Sequence, residues 1–409
     1  SNNFTAESGK ILHIPYEDGR LKEVILGEGA DKNLEAISAF SASNIGNYYI
    51  SCKFAKSKES EIYKAWAWGN YKYQSKSKKN LLYVKEQKEL EFLTFYSNCI
   101  NFSRDLINSP ANKLNPSTYY SKIKNNNLFK SFNFIDYTEK EINSNFPLTC
   151  AVGKSSSSKP KVIEITNRKL SKKDKPLVII GKGVTFDTGG VNIKPGTSMR
   201  NMKKDMGGSA IAISLFLLAN YFLKKTKIVL IAPIAENAIS SKSMRPGDVY
   251  SSVSGKSVEI AHTDAEGRLL LADAIEKASS YNPCMIIDFA TLTGAARVAL
   301  GEDLPAYFCN NETFAKKIEN LNKEKLRCWR LPLYSPYLSK IKSQVADLSN
   351  ASLDGMAGSI TAALFLQEFL KSPNIPWFHF DTFAWSQDSK GAALQGLDIM
   401  SDFLRKNFN

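Results

Sequence analysis

Residues 181–208 read GKGVTFDTGGVNIKPGTSMRNMKKDMGG, and residues 262–273 read HTDAEGRLLLAD. Set among glycines, these two stretches contain charged residues that we single out for function, which are Asp187, Asp205, Asp264, Glu266, Lys182, Lys194 and Arg268. Carboxylates that are brought together repel one another unless a cation neutralises them. Because such a charge arrangement is costly to build, we expect most of the chain to serve as a scaffold for these residues.

Outward from these stretches, segments typical of strands alternate with segments typical of helices from about residue 132 onward. FNFIDY, TCAVGK, KVIEITN, PLVIIGKG, KIVLIAPIAEN, CMIIDFATLTG and PWFHFDTFAW predict strands, whereas MGGSAIAISLFLLANYFLKK, RLLLADAIEKASS, GSITAALFLQEFLK and GLDIMSDFLRKNF predict helices. The alternation predicts an α/β fold with a mainly parallel central sheet flanked by helices on both faces. Reacting groups in such sheets lie where strands end and loops begin, as the charged stretches do here.

Three regions are predicted along the chain. Residues 1–82 are expected to form a smaller N-terminal α/β domain, because KEVILG and NYYISCKFA have strand character. Residues 83–112 are expected to hold a linker helix, since apolar residues recur with a helical period between Lys85 and Asn108. Residues 113–409 are expected to form the large C-terminal domain that contains both charged stretches.

The formal net charge of +14 raises the question of a nucleic-acid partner. Residues 65–80, AWAWGNYKYQSKSKKN, interleave aromatic residues with lysines, which suits either base stacking beside phosphates or a helix end and an ordinary loop. The lysines are spread over the whole chain, so we favour a general surface charge and the loop interpretation. DNA binding stays open as the alternative function.

Cysteine and histidine usage narrows the expected site and compartment. The six cysteines form no CxxC pair, and the three histidines form no metal-binding pair. Reduced thiols and a cytoplasmic location are therefore expected, and any metal site must rely mainly on oxygen ligands. No run of eighteen apolar residues occurs, and SNNFTAESGK has no apolar core, so neither a membrane span nor a signal peptide is expected.

Each carboxylate has a structural and a functional interpretation. Asp264 and Glu266 are two residues apart, so in an extended segment both would point to one side, although an acidic turn before a helix is equally compatible. Asp205 precedes a long apolar helix and could cap it, and Asp187 could be a turn aspartate. Taken together with an amine, the four could hold two divalent ions roughly 3.5 Å apart.

The basic residues of the two stretches leave similar alternatives. Lys182 lies between two glycines at the end of a buried strand, where it must form an ion pair or lose its proton and become a possible metal ligand. Lys194 could polarise a carbonyl group or be an exposed loop lysine. Arg268 could fix an anion at the start of a helix or pair with neighbouring acids.

The motifs GKGVTFDTGG, KKDMGGSA, PIAENA with RPGDV, HTDAEGRLLLADA and ATLTGA together resemble those of the leucyl aminopeptidase family, peptidase family M17. The resemblance extends over about residues 100–409, and SRDLINSPANKLNP resembles the segment that leads into the family's catalytic domain. It implies a leucyl-type metalloaminopeptidase that hydrolyses the N-terminal residue from short peptides with a free N-terminus. It further implies a homohexamer and no membrane partner.

The same resemblance implies a role for each site residue. Two divalent ions, Zn or Mn with Mg as a further candidate, would be bound by Lys182, Asp187, Asp205, Asp264 and Glu266. A metal-bridged water would attack the scissile carbonyl, with Lys194 stabilising the oxyanion and a bicarbonate held by Arg268 acting as general base. Leu292 would contact the substrate through its backbone, while Met202, Thr291 and Gly294 would line the pocket for the first side chain.

Three positions depart from the family pattern. His262 stands where asparagine is usual and Thr188 where serine is usual, but neither position supplies a ligand. His262 either adds a hydrogen bond beside the ligands or simply packs. Phe383 stands where many members have a small residue, so a narrower pocket and an altered preference for the first side chain are expected. A single dipeptide substrate such as Cys-Gly and an inactive scaffold are the remaining alternatives.

Overall fold

The computed structural model describes residues 4–29, 34–43, 46–51, 54–75, 80–323, 325–386 and 391–408. The chain divides into two compact units, Ser1–Phe102 and Ser103–Asn409. The division falls inside a long helix, in the region that the sequence assigns to a linker, and the predicted boundaries at residues 82 and 112 stay a prediction. Lys76, Lys78 and Lys79 of the lysine-rich segment lie outside the described residues, as does Cys52. No disulfide bond joins any two of the five described cysteines.

The N-terminal unit consists of short strands and three helices, which are β1 (Ile11–Pro15), β2 (Leu21–Leu26), α1 (Glu35–Ser43), β3 (Asn47–Tyr48), α2 (Lys56–Gly69), β4 (Leu81–Leu82) and α3 (Gln87–Asn108), the helix that contains the division. Strands β1 and β2 form an antiparallel hairpin, and β3 pairs with β4 in parallel. The strand expected over NYYISCKFA is only two residues long. Aromatic contacts fill the core, with the Phe40 ring 5.0 Å from Tyr48 and 6.0 Å from Trp66.

A cavity of about 360 Å³ in the N-terminal unit is lined by Asn47, Tyr48, Tyr49, Ile50, Tyr63, Tyr83 and Lys85. Its described lining contains no carboxylate and no histidine, so it offers neither of these two kinds of metal ligand. The groups that the sequence singles out for chemistry all belong to the other unit.

The C-terminal unit contains ten helices within the described residues, which are α4 (Pro116–Lys124), α5 (Glu139–Asn145), α6 (Pro147–Gly153), α7 (Gly196–Met199), α8 (Gly207–Phe222), α9 (Gly267–Ser279), α10 (Gly294–Leu300), α11 (Glu312–Asn322), α12 (Gly358–Gln367) and α13 (Leu397–Phe408). Three 3₁₀ segments cover Asn127–Phe129, Met202–Met206 and Ser335–Ile341. Its strands are β5 (Asn133–Ile135), β6 (Lys161–Thr166), β7 (Leu177–Gly181), β8 (Gly183–Asp187), β9 (Ile228–Asn237), β10 (Val249–Ser251), β11 (Ser257–Glu259), β12 (Met285–Ala290), β13 (Ala306–Cys309), β14 (Trp329–Arg330), β15 (Leu348–Ser349), β16 (Trp377–Asp381), β17 (Trp385–Ser386) and β18 (Gly391–Ala392).

The central sheet has the strand order β14-β13-β16-β12-β7-β9-β6-β5, with β8 also paired to β9. The four middle strands β16, β12, β7 and β9 run parallel to one another. Antiparallel pairs flank them on both sides, at β13 with β16 and at β6 with β9. The prediction of an α/β fold with a mainly parallel sheet is confirmed, with antiparallel additions towards the two edges.

Helix α8 is buried along most of its length, which agrees with its largely apolar sequence. It packs against strand β7, strand β12 and helix α13. The stretch Met202–Phe222 is long and apolar enough to cross a membrane by length and composition, but 83% of that window is buried inside the protein, as expected for a core helix.

Strands β7 and β8 would be one continuous strand but for Lys182 between them. The Lys182 amide donates to Phe289 O of β12 at 3.0 Å, and the Lys182 carbonyl accepts from Ser209 N at 2.8 Å, inside helix α8. The interruption therefore locks the start of α8 against the middle of the sheet. It also turns the Lys182 side chain away from the regular strand pattern and towards the ends of the parallel strands.

One predicted strand is wrong. TCAVGK belongs to helix α6, which begins at Pro147, a residue well suited to the first helical position. The Asp273 carboxylate of α9 accepts hydrogen bonds from Thr149 N at 2.7 Å and Thr149 Oγ1 at 2.8 Å. This capping carboxylate comes from a distant part of the chain, so the local apolar pattern alone could not distinguish a helix from a strand.

Candidate active site

One cavity of about 250 Å³ in the C-terminal unit brings together nearly all of the residues that the sequence singles out. It is lined by Lys182, Asp187, Lys194, Asp205, Asp264, Glu266, Arg268, Thr291, Leu292, Thr293, Gly294, Ala295 and Gly358. Of the predicted site residues, only Met202 is absent from this lining, and it lies at the start of a 3₁₀ segment. Thr293, Ala295 and Gly358 are added by the structure.

Asp187 ends strand β8 and is held by a tight turn. Its Oδ1 accepts hydrogen bonds from Gly189 N and from Asn237 Nδ2, both at 2.8 Å, and its Oδ2 lies 2.9 Å from Lys194 Nζ. Gly189 has φ of +86°, and a side chain there would come within 2.4 Å of Asn192 O. The double glycine is therefore required for the backbone to turn back beneath the carboxylate.

Lys182 is only 2% exposed and is surrounded by oxygen atoms. Its Nζ lies 2.7 Å from Asp205 Oδ2, 2.9 Å from Thr291 O and 3.0 Å from Glu266 Oε1. Burial opposes its charge, but the attraction of Asp205 and Glu266 raises the pKa of Lys182 above its ordinary value. Gly267 leaves room for this side chain, because a Cβ there would lie 2.3 Å from Lys182 Cε. The ion-pair alternative is thus the one that the metal-free chain adopts.

Of the two alternatives for Asp264 and Glu266, the structure shows a turn before a helix and not an extended segment. Ala265 N donates to His262 O at 3.1 Å in a turn, and Glu266 has helical angles directly before α9. The carboxylates nevertheless converge, because oxygen atoms of Asp187, Asp264 and Glu266 lie within 4.8 Å of one another. Burial and the charge of Asp187 raise the pKa values of both Asp264 and Glu266.

His262 contacts the turn that positions these two carboxylates. Its Nδ1 accepts a hydrogen bond from Asp264 N at 3.2 Å, and its own amide donates to Asn350 Oδ1 at 3.1 Å. Burial and the neighbouring charge of Lys194 lower the pKa of His262, which favours the neutral ring that can accept this bond. Of the two interpretations of His262, the structure therefore shows the hydrogen bond beside the carboxylates.

Asp205 does not cap helix α8. It lies in the 3₁₀ segment Met202–Met206, and α8 begins at Gly207 without a hydrogen bond from any capping side chain. Its Oδ1 instead accepts from Thr291 Oγ1 at 2.8 Å, while its Oδ2 pairs with Lys182. The carboxylate is thus directed into the cavity and away from the helix end.

The donor set fits divalent cations. Glu266 Oε2 is buried without a hydrogen-bond donor among the described residues. Glu266 Oε1 and Asp264 Oδ1 are neutralised only by ammonium groups, Lys182 Nζ at 3.0 Å from the first and Lys194 Nζ in contact with the second. Hard divalent ions prefer carboxylate oxygens, and such an ion would neutralise the like charges that burial leaves unscreened. Lys182 would have to release its proton to become a ligand, because metal ligands bind in their deprotonated form.

Arg268 lines the same cavity and has hydrogen-bond donors that no described residue accepts from. The side chain is 7% exposed, and its Nε and Nη1 have no hydrogen-bond acceptor among the described residues. Burial lowers the pKa of Arg268 to about 10, although Glu266 and Asp381 attract its charge. A buried guanidinium with two unused donors is suited to a small planar anion.

The loop that follows strand β12, from Thr291 to Gly294, forms another part of the cavity lining. Asp381, at the end of β16, holds it from behind: its Oδ1 accepts from Leu292 N at 3.2 Å and Thr293 N at 3.1 Å, and its Oδ2 accepts from Thr293 Oγ1 at 2.6 Å. Sequence reasoning missed Asp381 as part of the site. Its position at the end of a predicted strand was the available signal, but its partner loop could not be identified from the chain alone.

Comparison with known proteins agrees with this geometry. The family model described as "Cytosol aminopeptidase family, catalytic domain" matches residues 101–400. The chain belongs to this family. A probable cytosol aminopeptidase of Syntrophotalea carbinolica is 37% identical over 298 residues, which cover 72% of this chain and 59% of that protein. The cytosol aminopeptidase of Encephalitozoon cuniculi is 41% identical over 291 residues, 69% of this chain and 59% of that protein.

Two solved structures share the fold over the whole chain. The cytosol aminopeptidase from Coxiella burnetii has a TM-score of 0.90 at 36% identity and covers 100% of this chain and 91% of its own. The bottromycin maturation enzyme BotP in complex with Mn has a TM-score of 0.88 at 26% identity, with coverage of 100% and 95%. The match to the curated relatives named above spans about three fifths of their length. None of these matches is named for nucleic-acid binding.

Phe383, one of the three positions expected to depart from the family pattern, lies on the segment that follows β16. The preceding residue, Thr382, donates its amide to Ala290 O at 2.8 Å, so the segment runs beside the loop at Thr291. The ring is 8% exposed and lies beneath two cationic groups, with Lys204 Nζ 4.4 Å and Arg297 Cζ 4.6 Å from its centroid.

Proposed function

We propose that this protein is a metal-dependent aminopeptidase that releases the N-terminal residue from short peptides. The observation that supports this most directly is the buried cluster of Asp187, Asp264 and Glu266, whose oxygens lie within 4.8 Å of one another. A buried carboxylate cluster of this kind is a binding site for cations. Membership of the cytosol aminopeptidase family supplies the reaction class.

Lys182, Asp187, Asp205, Asp264 and Glu266 are the proposed ligands of two divalent ions. When bound, such ions polarise a carbonyl oxygen and provide a nucleophile from water at neutral pH. Zn, Mn and Mg are all candidates, because carboxylate-rich sites select metals by availability as well as by affinity. The Mn complex of BotP shows that a related fold accepts manganese.

The basic residues complete the proposed chemistry. The Lys194 ammonium, 15% exposed at its side chain, faces the cavity beside Asp187 and would hold the developing negative charge on the scissile carbonyl oxygen. Arg268 would bind bicarbonate through its two unused donors, and that anion would supply the general base. Leu292, Thr291, Gly294 and Met202 are proposed to contact the substrate backbone and first side chain.

The unblocked amine of the substrate is proposed to bind near Asp205. This carboxylate is 4% exposed and borders the cavity, so a substrate ammonium that reached it would exchange water for a partly buried ion pair. An acetylated N-terminus has no such charge and would lose this interaction. We further propose that the protein is cytoplasmic, acts on peptides in solution and assembles as a homohexamer, as expected for this family.

The test is hydrolysis of leucine, methionine and alanine anilides by metal-stripped protein, to which Zn²⁺, Mn²⁺ or Mg²⁺ is added back. We expect turnover only with added metal and only with a free amine, N-acetylated anilides being the matched control. The same titration should raise the free energy of unfolding by about 2.7 kcal/mol once the free metal reaches a hundred times its dissociation constant. Neither turnover nor stabilisation with any of the three metals would contradict the proposal.

A further inference from the structure

A group of positive charges lies behind the lining of the cavity that holds the metal-ligand cluster, next to Gly294 and Asp205. Gly294 lines the cavity, and a Cβ built on Gly294 would lie 3.7 Å from Arg297 Nη2. The Arg297 guanidinium in turn lies over the Phe383 ring, as does the Lys204 ammonium. Phe383, Lys204 and Arg297 thus form one continuous group, which we call the basic wall, beside the loop at Thr291–Gly294.

Lys204 is the unusual member of the basic wall because it is 5% exposed. Its immediate neighbour Asp205 is already engaged, by Lys182 Nζ at 2.7 Å and Thr291 Oγ1 at 2.8 Å. Within the part of the chain that the structure describes, no carboxylate lies at ion-pair distance from the Lys204 ammonium. A buried ammonium without a counter-charge is costly unless an anion from outside the chain neutralises it.

The adjacent lysine shows that this arrangement is specific to Lys204. Lys203 Nζ donates to Asn108 O at 2.9 Å and lies 5.4 Å from the Trp385 ring centroid, so its ammonium has a hydrogen-bond acceptor of its own. Lys204, in contrast, is held over an aromatic face that attracts a cation but cannot neutralise it. Arg297 is exposed and adds a second positive charge at the same ring.

We propose that the basic wall recognises a carboxylate on the first side chain of the substrate, so that peptides beginning with glutamate or aspartate are preferred. The proposal rests on the aminopeptidase function, because it assigns the side-chain pocket of that same site. An acidic side chain directed to Phe383 would meet Lys204 and Arg297 together, whereas a leucine side chain would leave both cations without a partner. A neutral amide of the same shape, as in glutamine, would interact less favourably with Lys204 and Arg297.

The experiment compares kcat/KM for Glu-, Gln- and Leu-anilides with metal-loaded protein. Anilides have no C-terminal carboxylate, so any preference for Glu over Gln reports the first side chain alone. We expect at least a tenfold preference for Glu-anilide over Gln-anilide, and we expect Lys204→Met and Arg297→Met each to lower this ratio about tenfold, which corresponds to about 1.4 kcal/mol. Lys203→Met is the matched control and should leave the ratio unchanged.

The outcomes separate this proposal from the one on which it rests. Turnover of Leu-anilide that equals or exceeds that of Glu-anilide would overturn the basic wall as a specificity element while leaving the aminopeptidase function intact. No turnover of any free-amine anilide would instead count against the function itself. If the variants change the ratio of Leu-Glu to Leu-Gln dipeptides and not the ratio of the anilides, the wall recognises the second residue and the proposal is wrong. Arg297→Met keeps the test decisive should Lys204→Met fail to fold, because Arg297 is exposed.

Discussion

Two buried glutamates of the C-terminal unit differ completely in their surroundings. Glu164 on strand β6 is 0% exposed, and its two oxygens accept hydrogen bonds from the hydroxyls of Tyr281 and Tyr137. Glu266 is 1% exposed; its Oε1 faces the Lys182 ammonium at 3.0 Å, and its Oε2 has no hydrogen-bond donor among the described residues. The same side chain is therefore a completed part of the scaffold in one place and an open cation site in the other.

The contrast shows how a structural charge can be told from a functional one. Burial and the charge of Glu164 raise the pKa values of Tyr137 and Tyr281, so both phenols stay protonated and keep donating. Around Glu266, burial and the nearby charge of Asp187 act against the ionised form. A protein tolerates such an unfavourable site when a bound cation relieves it.

The largest expected effect comes from removing the open carboxylate. Glu266→Ala should lower kcat for a free-amine anilide by at least about 10³-fold, because the metal ions provide several kcal/mol of transition-state stabilisation. Its thermal midpoint in metal-free buffer should change little, because the variant loses both the repulsion from Asp187 and the ion pair with Lys182. Steady-state kinetics and circular dichroism measure the two quantities, and full activity in this variant would contradict the assigned site.

Substitution of Glu164 should have the reverse outcome, with a loss of stability and little change in activity. Glu164→Ala should lower the free energy of unfolding by about 2–4 kcal/mol, because two tyrosine hydroxyls lose their acceptor in a buried setting. Glu164→Gln, which keeps one acceptor oxygen, should cost about half as much. Metal-dependent kcat per folded molecule should stay near that of the parent chain in both. Urea titration measures the stability, and a loss of activity without a loss of stability would remove the distinction between the two glutamates.

The smallest of the three expected effects on activity and stability concerns Lys194, whose ammonium faces the cavity but is not a proposed metal ligand. Lys194→Ala should lower kcat by about 10²-fold, the typical effect of losing one oxyanion donor. KM should change less, because the oxyanion forms only in the transition state. Lys242→Ala removes an exposed lysine and serves as the control. An unchanged kcat in the Lys194 variant would exclude this role.

The sequence predicts the parallel core of the fold well because its strands are short apolar runs between glycines and charged loop residues. Strands β7, β9 and β12 and helices α8 and α9 all lie where the pattern places them. Helix α6 was mistaken for a strand, because the Asp273 cap that stabilises it is a long-range contact. The two-residue strand β3 shows that strand composition does not determine the length of pairing.

The members of the site were predictable, but their conformations and partners were not. Lys182, Asp187 and Asp205 line one cavity, as the sequence suggests. Of the two geometries that the sequence leaves open at Asp264, the structure shows the turn. Asp381 and the basic wall escaped prediction altogether, since each depends on which loop lies beside the end of strand β16.

The separation of the proposed ligands along the chain determines when the nascent protein can bind metal. The proposed ligands come from three separate segments, at Lys182 and Asp187, at Asp205, and at Asp264 and Glu266, and the last of these follows the whole of strand β9. A nascent chain that has emerged only as far as β9 therefore lacks two carboxylates and meets metal with an incomplete set. Productive loading with metal must wait until synthesis has passed Glu266, so metal occupancy would report that all three ligand segments have been made and brought together.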